Sequence, residues 1–429
     1  MRKCYCLFML LGLMCNLLSS QEKESFFFDF TKQKSSTSAV GINSGQPFSN
    51  ELGYGFDFGT AYRVTSNKQG FTTTAPVYFS VQIPEGTYKV TVTVSGENTT
   101  TTLKAESKRL FIPQHTITTT DEVTLSFNVS VFKPQITSDY NVGLKDRELL
   151  KLDWDDKLTL EFLGNSTIKN IHIEPVTNLK TLFLVGDSTV TNQDLEPWAS
   201  WGQFITAYLD ENIAVANMAS SGASLASFKG SRIDKVLNML KKDDYVVIEF
   251  GHNDEKIKGE GNGAYGLYTN LLTYFVTRIK EKGGIPILIT PTQRRAFDGN
   301  QLKPTHGDFP DAMRKVAKKE KVALIDLTAF TTQMYEAWGP EGSRKAFVQY
   351  PANTFPGQSK ALEDNTHFSN FGANEIALAV VNGMRESSST LKQYIKVNTP
   401  SYNPSQPNEP QSYSIPYSSL FEALKPDGN

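Results

Sequence analysis

Cysteine is missing from nearly the whole chain. Its three copies, Cys4, Cys6 and Cys15, all lie near the amino terminus. Arg2 and Lys3 there precede an apolar stretch from Leu7 to Leu18, and Ser19-Ser20 comes next as a small-residue cleavage site, the pattern of a secretory signal over residues 1–20. The stretch is too short and wrongly flanked for a membrane span, and no later apolar run is long enough for one. A lipid anchor on Cys15 stays open, although Met14 is bulky where a lipoprotein signal has a small residue. Cleavage after Ser20 leaves a mature chain with no disulfide, no thiolate metal site and no cysteine nucleophile. Its expected place is beyond the inner membrane, in the periplasm, outside the cell or on its surface. An excess of charge is lacking too. Without Arg2 and Lys3 the 45 acidic residues outnumber the basic ones by four, and nothing in that balance points to nucleic acid or an anionic membrane as partner.

Length points to two domains. Residues 21–177 read as β structure: Val77–Ile83 and Tyr88–Val94 have period-two character around the turn Pro84-Glu85-Gly86, and Val123–Val131, Lys157–Phe162 and Ile168–Ile173 continue it. This pattern predicts an antiparallel sandwich. From about residue 178 to 390 the rhythm changes. Thr181–Val185, Ile213–Asn217, Tyr245–Phe250, Ile285–Thr290 and Ala323–Asp326 are five short apolar strands, and Trp198–Leu209, Tyr265–Lys280, Asp308–Lys319 and Asn374–Met384 are helical patterns. This alternation predicts an α/β fold: a five-stranded parallel sheet between two helical layers, with its site at the carboxyl ends of the strands. Residues 391–429 form a proline-punctuated tail whose apolar cluster Tyr413–Phe421 is free to pack back on a domain surface.

The chemistry-bearing residues fall at the expected edge. Gly186-Asp187-Ser188 ends the first apolar strand and places a hydroxyl on a tight turn, although all three residue types also favour plain turns. Thr189 and Val190 come next, so the Gly-x-Ser-x-Gly elbow is absent. After the second strand comes Ser220-Ser221-Gly222-Ala223, where Gly222 is either a loop glycine or a backbone donor to an oxyanion. After the third comes Gly251-His252-Asn253-Asp254. Asn253 is either an Asx-turn residue or an amide donor that never titrates. Asp364 and His367, three residues apart on what reads as a late loop, can pair as orienter and base for the serine. His172 alternates with Ile171 and Ile173 and reads as structural; His252 has no evident acid partner.

These four blocks, in this order, resemble the SGNH (GDSL-type) hydrolases. The rhamnogalacturonan acetylesterases, of the carbohydrate esterase family 12 type, resemble the chain more closely. The likeness rests on Phe183-Leu184-Val185-Gly186-Asp187-Ser188-Thr189-Val190, on Thr290-Pro291-Thr292-Gln293-Arg294-Arg295 and on Thr366-His367-Phe368-Ser369, and it spans about Leu179 to Arg385. It implies Ser188 as nucleophile, His367 as base and Asp364 as orienter. The Ser188 and Gly222 N–H groups and the Asn253 side chain would form the oxyanion hole, with no metal or other cofactor. The β region resembles, more loosely, the galactose-binding-like jelly rolls fused to such esterases, through its strand pattern and Gly53-Tyr54-Gly55-Phe56. The expected function is removal of acetyl groups from pectic polysaccharide, foremost rhamnogalacturonan. Acetylated xylan, a lipolytic or thioester activity, and non-catalytic polysaccharide binding are the rivals.

The residues also speak to substrate directly. Arg294 and Arg295 come after the fourth strand, where guanidinium groups suit a galacturonate carboxylate unless they serve as surface ion pairs. The polar loop Asn192–Trp198 suits a sugar better than an acyl chain, with Trp198 as a sugar contact or as core and His252 as a further candidate contact. Oligomeric state is not readable from the sequence.

Overall fold

The computed structural model describes residues 24–31, 39–150 and 152–427. The expected leader and Cys15 lie outside the described residues. Among the described residues no helix is long and apolar enough to cross a membrane.

Five strands make the central sheet, in the order Ile213–Asn217, Lys180–Gly186, Tyr245–Glu249, Ile285–Ile289, Ala323–Ile325, and every neighbouring pair is parallel. They read as continuous apolar runs because both faces are covered. Leu182, Leu184, Val247, Ile287 and Ile289 pack on one face with Trp201, Ile376 and Val380. Phe183, Val185, Val246, Ile248 and Leu288 pack on the other with Phe228, Leu272, Phe275 and Val316. The first strand sits between the second and third, so the chain reverses its winding there and opens a crevice at the carboxyl ends of these strands.

Several helices differ from expectation. Within Trp198–Leu209 only Trp201–Phe204 is α-helical, and a 3₁₀ stretch over Ile205–Tyr208 continues it. Ala199 bridges to Phe368, and Ser200 caps the short helix, so the chain is still extended at Trp198. Thr269–Glu281 and Phe309–Glu320 fall close to their predicted places, and the last helix is longer, Asn370–Glu386. Leu225–Ser231, Ile233–Met239 and Leu327–Gly342 are helices that the periodicity did not reveal. Asp364 and His367 sit in a strand, not a loop: Leu362–Phe368 pairs antiparallel with Phe347–Tyr350.

The amino-terminal region forms two larger sheets over a shared core. One runs Val123–Val131, Gly86–Ser95, Thr167–Val176, Phe26–Asp29, Val40–Gly41, with Gly70–Thr73 and Val64–Asn67 joined to it. The other runs Tyr54–Asp57, Val77–Gln82, Lys157–Gly164, Thr99–Ala105, Arg109–Ile117. Pairing is antiparallel apart from Phe26–Asp29 beside Val40–Gly41. Phe30, Phe56, Phe71 and Phe79 meet edge-on or tilted at the centre of this core, an arrangement that suits the ring quadrupoles.

This region is bound to the parallel-sheet region by buried polar groups. Arg109 is fully buried and donates to Val215 O at 3.1 Å and Ser130 O at 2.8 Å. Lys108 donates to Trp198 O at 2.9 Å and lies 3.2 Å from Glu196. The carboxyl-terminal segment closes the same seam. Glu196 N–H donates to Leu420 O, and Glu422 N–H donates to Glu196 O. Ser418 N–H donates to the buried Glu196 carboxylate at 2.9 Å. Held by these bonds, the tail runs as a strap to the carboxyl edge of the sheet.

Candidate active site

Gly186 ends the first strand where no side chain fits: a Cβ would lie 2.5 Å from Val190 Cγ2 and 2.8 Å from Glu249 O. The turn beyond it is held by Asp187, whose Oδ1 accepts from Thr189 N at 3.0 Å and Thr189 Oγ1 at 2.9 Å. Ser188 comes next, with its Oγ 2.9 Å from His367 Nε2. His367 Nδ1 lies 2.9 Å from Asp364 Oδ2, while Asp364 Oδ1 accepts the backbone N–H groups of Thr366 and His367 at 2.7 and 2.9 Å. The carboxylate therefore fixes both the backbone of Thr366 and His367 and the imidazole ring. A proton on Nδ1 facing the carboxylate leaves Nε2 with its lone pair toward the serine hydroxyl. Burial alone would raise the Asp364 carboxyl; the His367 ring and the two N–H donors outweigh it and hold the group far below the ordinary carboxylate range.

Gly222 and Asn253 come together beside this relay. Gly222 adopts φ +70°, a conformation glycine reaches without strain, and Asn253 Nδ2 donates to Ala223 O at 3.1 Å. Gln193, which sequence reasoning left as one polar loop residue among several, ties the two blocks: its Nε2 donates to Ser188 O at 2.9 Å and reaches Ser221 Oγ at 3.4 Å.

The tentative sugar contacts are placed differently. Trp198 is 2 % exposed, its ring meets His367 edge-on at 5.8 Å, and its indole N–H donates to Glu422 O at 3.0 Å. It walls the histidine and offers no open face to a sugar. Arg294 pairs with Glu255 at 2.7 Å and donates to His252 O. Arg295 donates to Ser343 Oγ, Asn365 Oδ1 and Pro340 O. Both guanidinium groups are thus committed to the protein.

His252 does have an acid neighbour, against expectation: its Nδ1 lies 3.4 Å from Asp187 Oδ2. Neither atom is aligned for a hydrogen bond. The ring is buried and packs against His306 at 4.5 Å, and burial first, with the His306 charge adding, pushes it down to about 4 against the pull of Asp187. His306 faces acceptors on both sides, Glu255 Oε2 at 2.9 Å and Thr292 O at 2.7 Å. Beneath the serine turn Glu249 accepts from Trp201 Nε1, Thr189 Oγ1 and Thr292 N. Burial, and then the nearby Asp187 charge, pushes its carboxyl up to about 8. Long-range partners of this kind leave no signal in local spacing.

A hydroxyl, an imidazole and a carboxylate in series at the carboxyl edge of a parallel sheet make the arrangement of a serine hydrolase. Comparison with known proteins fixes the class further. Residues 184–372 match the GDSL-like lipase/acylhydrolase family. A rhamnogalacturonan acetylesterase of Bacillus subtilis, RhgT, is 40 % identical over 218 residues, 50 % of this chain and 93 % of the relative. A probable rhamnogalacturonan acetylesterase of the same organism, YesY, is 34 % identical over 221 residues, 50 % of this chain and 96 % of the relative. An uncharacterized esterase of that organism, YxiM, is 27 % identical over 345 residues, 76 % of this chain and 84 % of the relative. The chain belongs to the GDSL-like lipase/acylhydrolase family and is a carboxylic ester hydrolase.

Proposed function

We propose that the protein is a rhamnogalacturonan O-acetylesterase that works through a covalent acetyl-serine. Ser188 Oγ attacks the ester carbonyl while His367 Nε2 takes its proton, and Asp364 holds the imidazole and balances the charge it gains. The developing oxyanion is received by the N–H groups of Ser188 and Gly222 and by the Asn253 amide. His367 returns the proton to the departing sugar hydroxyl. Water, activated by the same base, then releases acetate and restores the serine. The observation that carries this reading is the unbroken series of 2.9 Å contacts from Ser188 through His367 to Asp364. The substrate class is supported by the acetylesterase relatives, whose length the chain matches almost fully.

The amino-terminal region fits a galactose-binding-like sandwich that serves the polymer side of the reaction. A leader over residues 1–20 and export past the inner membrane complete the proposal, since pectic polymers lie outside the cytoplasm. Acetate release from acetylated rhamnogalacturonan, set against acetylated xylan and long-chain nitrophenyl esters, is the decisive measurement. Faster release from xylan would replace the substrate, and a preference for long chains would replace the class.

A further inference from the structure

The strap brings one lysine to the catalytic centre. Two of its acidic side chains are already matched: Glu422 lies 3.9 Å from Arg147, and Asp427 lies 3.5 Å from Lys145, whose ammonium also donates to Ser221 O. Lys425 has its Nζ 3.3 Å from Asp364 Oδ2. That oxygen is the one facing His367 Nδ1. At the oxyanion side of the site Lys256 Nζ donates to Asn253 Oδ1 at 3.2 Å, a neutral acceptor, and Lys256 makes no ion pair among the described residues. The Lys425 side chain is 46 % exposed, and Lys256 is exposed as well.

Of the other cations near the cleft, Arg294 pairs with Glu255 and Lys145 with Asp427, while Arg295 is held by the neutral acceptors Ser343 Oγ, Asn365 Oδ1 and Pro340 O; Lys425 shares its counter-charge, Asp364, with His367. Partial burial, and then Arg294, pushes the Lys256 ammonium below its ordinary range; Lys425 pushes the same way, while Glu255 and Asp187 oppose. Two exposed ammonium groups thus reach the site, one on the proposed oxyanion amide and one on the orienting carboxylate. Lys256 meets only a neutral oxygen and Lys425 shares its carboxylate with His367, and each ammonium, with three donors, keeps N–H groups for a further anion.

We propose that Lys256 and Lys425 form the subsite that receives a uronate carboxylate of the substrate. The strap thus supplies a specificity-determining residue from outside residues 184–372. The role sought in Arg294 and Arg295 passes to these lysines, whose single-point charges tolerate the varied approach of a polymer chain better than a fixed fork does. The proposal rests on the pectic-ester reading and deepens it.

The test uses acetylated rhamnogalacturonan with free carboxylates and the same polymer with its carboxylates methyl-esterified. Acetate release is followed for the wild type, Lys256→Met, Lys425→Met, the double variant and the two Lys→Arg variants. The wild type should favour the free acid through KM by about tenfold, and added salt should erode that preference. Each Met variant touches the machinery, so some rate is lost on both polymers, and the acid-to-ester ratio is the readout. The double variant should bring the ratio near one, with the change in KM, while the Arg variants keep the preference. A ratio unchanged in the double variant, or a wild type indifferent to esterification, overturns the subsite and leaves the esterase reading standing. No acetate from either polymer overturns that reading and the subsite with it.

Discussion

Two histidine–aspartate pairs lie on the Ser188 turn and its surroundings, and only one is built for proton transfer. His367 and Asp364 meet at 2.9 Å, are oriented by two backbone N–H groups, and leave Nε2 at 2.9 Å from the serine hydroxyl. His252 and Asp187 approach only to 3.4 Å without alignment, and the ring is buried between Asp187 and His306, while Arg294 donates to the His252 backbone carbonyl. The same two residue types thus serve chemistry in one place and the support of a turn in the other. What separates them is alignment and access to a nucleophile.

The largest effects should fall on the first pair. Ser188→Ala and His367→Ala should each lower acetate release at least about 10⁴-fold, and the double variant should be little worse, because the two act as a unit. Unfolding midpoints should hardly move for Ser188→Ala. Retention of more than a few per cent of the rate in either variant would remove the residue from the mechanism. Asp364→Ala should be about a hundredfold milder than the serine change, since the imidazole keeps some basicity without its orienter. Equal losses for Asp364 and His367 would mean that the carboxylate does more than hold the ring.

For the second pair the order of effects is reversed. His252→Ala should cost about 2 kcal/mol of stability in urea unfolding, because it leaves the Asp187 carboxylate buried beside a void. Its rate on a small acetyl ester should fall less than about tenfold. A loss of a thousandfold with folding intact would break the distinction between the pairs.

The first pair was legible because its spacing is local and its strand ends on a helix start; the second was not. Asp187 and His252 lie at the ends of different strands, and only the parallel register of Lys180–Gly186 with Tyr245–Glu249 brings them near each other. The five-strand order of motifs could be read for the same reason that the sheet is buried on both faces. The apolar spacing of Trp198–Leu209 misled, because burial on several sides imitates a helical stripe where the chain winds only briefly. Leu327–Gly342 escaped because its buried residues include Thr328 and Thr331, so no clean apolar stripe marks it, and Gly339 and Pro340 disturb its last turn. The strap had no period to read. It is held by single backbone and side-chain bonds to Glu196, Trp198 and Lys104, so neither its path nor the position of Lys425 shows in composition.

The effect that leaves the rate aside separates the two sides by pH. Asp364 is held below the ordinary carboxylate range when folded, so its stabilisation is present above the unfolded value near 4 and is lost as pH falls below it. Glu249, beside Asp187, is pushed up to about 8. As pH rises from about 4.5 toward 8, the unfolded chain releases this proton while the folded protein keeps it, so stability declines through that window and levels off above it. Glu249→Gln removes that titration, and its unfolding free energy should decline less between pH 5 and 8 than that of the wild type, by a few kcal/mol at most. Some slope should persist, because burial also pushes the Asp254 carboxyl up to about 7. Urea unfolding at each pH measures both slopes. Parallel curves for the two proteins would show that Glu249 is ionised in the fold, with Trp201, Thr189 and Thr292 as sufficient donors to hold its charge.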